Sequence, residues 1–274
     1  MSLWKRHGLF LTAGVLCILV NRQGLGPLWF TGVIFLALGG AMRWSLWRRQ
    51  RPPQGQEPVA VEVPVAGRWK ALNGPSTKVP SHTHFHAQSY AIDLTHHPLG
   101  SPAPKPSWLW PFGRRPHHYP AFGAPVLAPG DGVIVAASDR QRDHLSRTSL
   151  PGFGYLFLEG FIRSLGWPRH LWGNHIVLKL DHGTYAGFAH LKRGSLRMAV
   201  GDRVSAGQQL AQVGNSGNSS EPHLHFQLMN GPDSEIAQGM PFTWHYRRDD
   251  GTEHVGVPED ATLFNPQESQ AQRR

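Results

Sequence analysis

Residues 214–228 read GNSGNSSEPHLHFQL. The glycines, asparagines and serines at the start suit a tight turn, and after Pro222 the chain alternates as His223-Leu224-His225-Phe226-Gln227-Leu228. Side chains on a strand alternate faces, so His223 and His225 project to one side while Leu224 and Phe226 face the other. Two imidazoles therefore share a polar face backed by an apolar one, a rigid mounting for a metal or a catalytic pair. Zinc needs neutral imidazole nitrogens at about 2.1 Å. By spacing alone, two surface histidines of a His-rich chain fit equally well.

The chain has 274 residues and a net charge of +9, enough length for one large domain with appendages. Basic charge raises the question of an anionic partner. Here it clusters at Arg43, Arg48, Arg49 and Arg51, just after an apolar run, and at Arg273 and Arg274. No nucleic-acid motif accompanies it, so it reads as juxtamembrane and terminal charge, and nucleic acid is not an expected partner. Cys17 is the only cysteine, which excludes an intrachain disulfide and a cysteine zinc cluster. Any metal must be held by His, Asp or Glu.

Residues 1–47 read as a membrane-anchoring segment with apolar runs at 8–20 and 25–42, separated by Asn21-Arg22-Gln23 and flanked by Trp4, Trp29, Trp44 and Trp47. The second run is about long enough to span ~30 Å of hydrocarbon, and the first is short. A helical hairpin in the lipid bilayer is the simplest arrangement; a single span after a signal-like segment is the alternative. Lys5, Arg6, Arg22 and the four later arginines put both termini of a hairpin in the cytoplasm, whereas one crossing by the second run, with the amino terminus inside, places the rest of the chain outside. Residues 48–58 are polar and proline-containing, a linker.

Residues 59–230 form the main domain. Short β-type runs at 59–65, 90–94, 132–137, 175–180, 184–189, 209–213 and 224–228 are separated by glycine turns, and a helical pattern shows only at 155–165. This predicts a mostly antiparallel β domain. Two long stretches, 96–120 and 139–173, are rich in aromatics among prolines, glycines and arginines, and fit either ordered walls of a cleft or packing over a sheet edge. Residues 231–274 read as an extension with an edge strand and a polar tail.

Four further places offer metal chemistry: His82, His84 and His86 in an alternating run, Asp93 closing Tyr90-Ala91-Ile92-Asp93, His190 closing Phe188-Ala189-His190, and His175 with His182 around a turn. Taken with His223 and His225, two histidines and one aspartate with a fourth position left for water describe a hydrolytic zinc site.

The order of segments resembles the zinc endopeptidases related to lysostaphin and LytM. The matching stretches are GAPVLAPGDGV at 123–133, GNHIV at 173–177, 185–191, Gly201-Asp202-Arg203-Val204 with Ala206-Gly207-Gln208, and the opening motif; GRW at 67–69 and AQGMPF at 237–242 resemble a subgroup with extended edges. The resemblance implies an all-β, LytM-like fold, an antiparallel open sheet or β-sandwich with long loops. It implies a membrane-anchored metalloendopeptidase that cuts peptidoglycan stems or cross-links through a Zn2+-activated water, from the cytoplasmic (inner) membrane with its domain on the periplasmic or cell-wall side. Carried over, Asp93 and His225 are zinc ligands, and His190 and His223 are the catalytic histidines beside the water and the substrate carbonyl. The usual histidine four residues before the aspartate is Ser89 here. His84 is the first choice for that ligand, because residues 84–88 resemble the subgroup's H-x-x-x-Q, with His82 and His86 as alternatives. A site short of that ligand implies instead a regulatory module that binds another wall hydrolase or the division machinery.

Overall fold

The computed structural model describes residues 6–22, 24–164 and 171–267; Trp4, Lys5, Gln23, Leu165, Trp167, Arg273 and Arg274 lie outside the described residues. The chain divides into two compact units, residues 1–51 and 52–274.

In the first unit both apolar runs are helices, α1 (His7–Val20) and α2 (Pro27–Gln50), with Pro27 in the first turn of α2, where its missing N–H is no loss. They lie antiparallel and close because glycines face the partner. A Cβ on Gly14 would stand 2.8 Å from the Gly32 oxygen, and one on Gly39 would stand 2.8 Å from Leu11 Cγ, the small-residue packing that apolar helices use where water supplies no driving force. Among the described residues α2 alone is long and apolar enough to cross a membrane; α1 is a shorter apolar helix. At the carboxyl end of α2, Arg48 lies over Trp44 at 5.1 Å and Arg51 over Trp47 at 3.8 Å.

The second unit is mostly β. Its strands are β1 (Val59–Ala60), β2 (Trp69–Leu72), β3 (Ile92–His96), β4 (Pro125–Leu127), β5 (Gly132–Ser138), β6 (Asn174–Leu180), β7 (Tyr185–Leu191), β8 (Arg203–Val204), β9 (Gln209–Gln212), β10 (Leu224–Met229), β11 (Gly239–Met240), β12 (Phe242–Arg248), β13 (Glu253–Gly256) and β14 (Leu263–Pro266), with one helix, α3 (Leu150–Ser164), inside the second long stretch. The large sheet runs β1-β12-β14-β2-β3-β10-β7-β6-β5-β8, with β11 beside β10 and β13 beside β12; β4 and β9 form a separate ladder. Only the β1–β12 pair is parallel among the described residues.

The core sits on one face of this sheet. Leu224, Phe226 and Leu228 of β10 enter it with Trp69, Phe188, Trp244 and Phe264, all fully buried, which commits the other face of β10 to His225 and Gln227. Of residues 231–274, expected as an extension with an edge strand and a polar tail, the described part to residue 267 contributes β12 and β14, which lie between β1 and β2 in the sheet. The physical reason is visible in β12: Phe242, Trp244 and Tyr246 are buried while His245 and Arg247 between them are exposed, the alternation of a strand with one face on a core.

Removing the Trp244 ring should cost about 3–5 kcal/mol, whereas its exposed neighbour His245 should tolerate alanine within about 0.5 kcal/mol. Denaturant unfolding of Trp244→Ala and His245→Ala measures both; equal midpoints would contradict the placement of β12 in the core.

Candidate metal centre

Strand register assembles the site. On β3 and β10 Asp93 stands directly opposite His225, and on the other side of β10 His225 pairs with Ala189 of β7, next to His190. His82 arrives from the loop before β3. Its Nε2 lies 3.0 Å from Asp93 Oδ2, and His225 Nδ1 lies 2.9 Å from Asp93 Oδ1; the three ligand atoms lie within 4.8 Å of one another. Asn73 donates its amide to Asp93 Oδ2 at 3.0 Å.

These residues fit zinc by their donor chemistry. Ser81 Oγ donates to the Ala91 carbonyl at 2.7 Å, so it accepts from His82 Nδ1–H at 3.3 Å, and His82 Nε2 is the nitrogen that faces Asp93 and exchanges its proton for a metal. Two imidazoles and one carboxylate make a three-ligand set that leaves a fourth position. Burial works to raise the Asp93 pKa, but the imidazoles of His82 and His223, and hydrogen bonds from His225 and His82, hold it well below the usual carboxylate range. Burial likewise opposes charge on His82, yet Asp93 beside it raises the imidazole above its ordinary value. The cluster is thus a buried anion that binds a proton when no other cation is there.

His190 and His223 stand behind it. His190, at φ 62°, donates Nδ1–H to the Ser216 carbonyl at 2.9 Å, and His223 donates Nδ1–H to the Glu221 carbonyl at 2.7 Å. Each ring therefore keeps Nε2 as an acceptor, and His223 Nε2 is 3.5 Å from Asp93 Oδ1. The His190 ring centre lies 4.8 Å from His223 and 5.8 Å from His225. Burial, with His223 and His225 adding, lowers the His190 pKa well below its ordinary value, so this ring is uncharged at neutral pH.

The expected histidines divide. His84 is not among the converging atoms; its Nδ1 faces Ser89 Oγ at 2.9 Å, and His82, named as an alternative, stands at Asp93 instead. The reason is local: three histidines share a face only if residues 82–86 are extended, and the chain instead enters a 3-10 turn, Phe85–Tyr90, with His86 and Ala87 in the left-handed region. His86 offers its carbonyl, which accepts from Gln227 Nε2 at 2.9 Å. His175 hydrogen-bonds the Gly173 carbonyl at 2.8 Å, while His182 lies beyond the far end of β6, about 20 Å away at the strand rise. Gln227, Ser81 and Asn73 escape a search for titratable groups; alternation along β10 is the signal that would have found Gln227.

The second long stretch packs on the loop that leads to His223. Asn215 N–H donates to Asp143 Oδ1 at 2.8 Å and Asn218 N–H to the Leu171 carbonyl at 2.8 Å. A Cβ on Gly217 would lie 2.4 Å from the Gly173 nitrogen, so only glycine permits that approach. The first stretch binds the second through Ser107 N–H to the Thr148 carbonyl at 3.0 Å and Tyr119 Oη to Ser146 Oγ at 2.8 Å. The Trp172 ring stands 6.4 Å from His225.

Because His82 is raised, its contribution to the metal-free fold is fully present below its unfolded pKa near 6.5 and is lost as pH rises through the higher folded value. Zinc runs opposite, since it displaces that proton. Zinc affinity from competition titration should fall as pH drops through the His82 pKa, and His82→Asn should remove that dependence together with tight binding; an affinity constant from pH 8 to 5.5 would contradict the ligand set.

Residues 157–237 match peptidase family M23. The stretch contains His190, His223, His225 and Gln227 but neither His82 nor Asp93, so geometry alone joins those two donors to it. Glycyl-glycine endopeptidase ALE-1 of Staphylococcus capitis is 40% identical over 87 residues, 31% of this chain and 24% of ALE-1. Cell division protein DipM of Caulobacter vibrioides is 28% identical over 110 residues, 40% of this chain and 13% of DipM. The chain thus spans about a quarter or less of the length of these curated relatives. The solved catalytic domain of lysostaphin from Staphylococcus simulans aligns at 22% identity with a TM-score of 0.34, covering 64% of this chain and 88% of that one. The part of the chain that is similar to peptidase family M23, residues 157–237, includes His190, His223 and His225.

Proposed function

We propose that the domain is a zinc-dependent endopeptidase that hydrolyses peptide bonds of peptidoglycan stems or cross-links, with His82, Asp93 and His225 as metal ligands. The observation that carries this reading is the convergence of those three donors with His190 and His223 directly behind them. Zinc, when bound, supplies Lewis acidity that polarises a carbonyl and lowers the pKa of a water from about 15.7 toward 7. His223, its Nδ1–H fixed on the Glu221 carbonyl, takes the proton of the attacking water at Nε2 and passes it to the departing amine as the C–N bond breaks. His190, kept uncharged by burial, holds its Nε2 lone pair beside the same centre and orients the water.

Peptidoglycan lies outside the cytoplasmic membrane, so the reading requires α2 to cross with the amino terminus inside and the domain to face the periplasmic or cell-wall side. The similarity to a cell division protein favours a second reading, a module that activates or localises another wall hydrolase.

The full chain should bind zinc near-stoichiometrically and release new peptide termini from purified peptidoglycan, and chelation should stop this reversibly. His225→Ala should lose zinc and activity together. His190→Ala and His223→Ala should keep zinc while turnover falls about 10²–10⁴-fold. Absence of both zinc and hydrolysis supports the second reading. Zinc content unchanged in His225→Ala would contradict both the ligand set and the enzyme. A reporter fused after Pro58 should be active only outside the cytoplasm; cytoplasmic activity alone would overturn the assignment to the wall.

A further inference from the structure

We infer that Gln227 is a positioning residue that fixes the tautomer of His225, and that the left-handed pair His86–Ala87 exists to hold Gln227 in the orientation this requires. The inference rests on the proposed zinc ligands and adds how one of them is prepared before metal arrives.

Period-two alternation puts Gln227 beside His225 on the polar face of β10, where it is fully buried. Its amide has two distinguishable ends. Nε2 donates to the carbonyls of His86 at 2.9 Å and Ala87 at 3.2 Å. Turning the amide over would set Oε1 against those two oxygens, so the orientation is fixed by its surroundings. Oε1 then faces His225 Nε2 at 3.0 Å, and an amide oxygen can only accept. His225 Nε2 must therefore carry a hydrogen, which leaves Nδ1, 2.9 Å from Asp93 Oδ1, as the nitrogen that gives up its proton to a metal. A ligand nitrogen is bared by a hydrogen bond on the opposite side of its ring.

The two carbonyls point this way only because His86 and Ala87 both adopt positive φ, 57° and 60°, a conformation that side chains other than glycine's disfavour. Strain of this kind persists where the surroundings over-determine it. Here β11 closes over the turn: a Cβ on Gly239 would lie 2.6 Å from the Ala87 oxygen, and Gly239 pairs with Met229 at the end of the strand that carries Gln227. The turn also lies between His82 and Asp93, so one strained element sets the spacing of two ligands and the protonation pattern of the third.

The test uses the full-length protein with ¹⁵N-labelled histidine and reads two quantities, zinc affinity by chelator competition and the His225 tautomer in the zinc-free state. Gln227→Leu should weaken zinc about 10–100-fold and release His225 from the Nε2–H form. Gln227→Glu keeps an acceptor on Nε2–H but loses the donor to His86 and Ala87, so it should hold the Nε2–H form and bind zinc more tightly than Gln227→Leu. Ala87→Gly keeps the carbonyl and accepts the left-handed φ, and should change neither. A role confined to packing predicts the reverse order, because Glu sets a carboxylate oxygen against two carbonyls while Leu does not; Glu weaker than Leu would overturn the inference. So would Gln227→Leu with unchanged affinity and tautomer in a protein whose wild type binds zinc. A wild type that binds no zinc fails the proposed function itself, a different outcome.

Discussion

The structure depends on keeping one carboxylate ionised inside a sheet. Asp93 is buried on β3, where an unpaired charge would cost several kcal/mol, and the surrounding groups answer that cost from every side. His225 faces it across the β3–β10 ladder, His82 approaches from the preceding loop, His223 lies beyond hydrogen-bond range at 3.5 Å, and Asn73 donates to it. His225, His82 and Asn73 direct hydrogens at it, and the shared target makes the cluster a place for positive charge. Whether that charge is a proton or a metal is then a matter of pH and supply.

The apolar side of the same strands holds this arrangement still. Phe226, next to His225 in sequence, packs on Phe188, Phe242 and Trp244 at ring separations of 5.3–5.5 Å, so β10 cannot slip by one residue without exposing its core face and burying its histidines on the wrong side. The strands that supply Trp244 and Phe264 lie after residue 231. The carboxyl-terminal part of the chain therefore supports the register that puts His225 opposite Asp93.

Much of this was legible in the sequence, and the failures have physical causes. Alternation in HLHFQL gives the strand, its two faces and the place of His225, and it extends to Gln227 two residues on. The same alternation in FTWHYRR marks a buried strand, so the integration of residues 231–267 was readable from period two, although the segment follows the last motif. The histidine run at 82–86 misleads because its alternation is that of a strand while the chain there turns through two left-handed residues. Neither residue is glycine, so no composition signal announces the turn, and the histidine that stands beside Asp93 is His82 rather than His84. Contacts between the two long stretches were not legible either, since they rest on backbone groups and on serines whose partners lie tens of residues away.

The most direct measurement is the zinc content of His82→Ala beside His84→Ala, each purified as the full chain in the presence of the metal. The arrangement around Asp93 predicts about one zinc per chain in His84→Ala, as in the wild type, and loss of zinc in His82→Ala. Zinc kept by His82→Ala and lost by His84→Ala would contradict the ligand set and, with it, the strained turn that defines it.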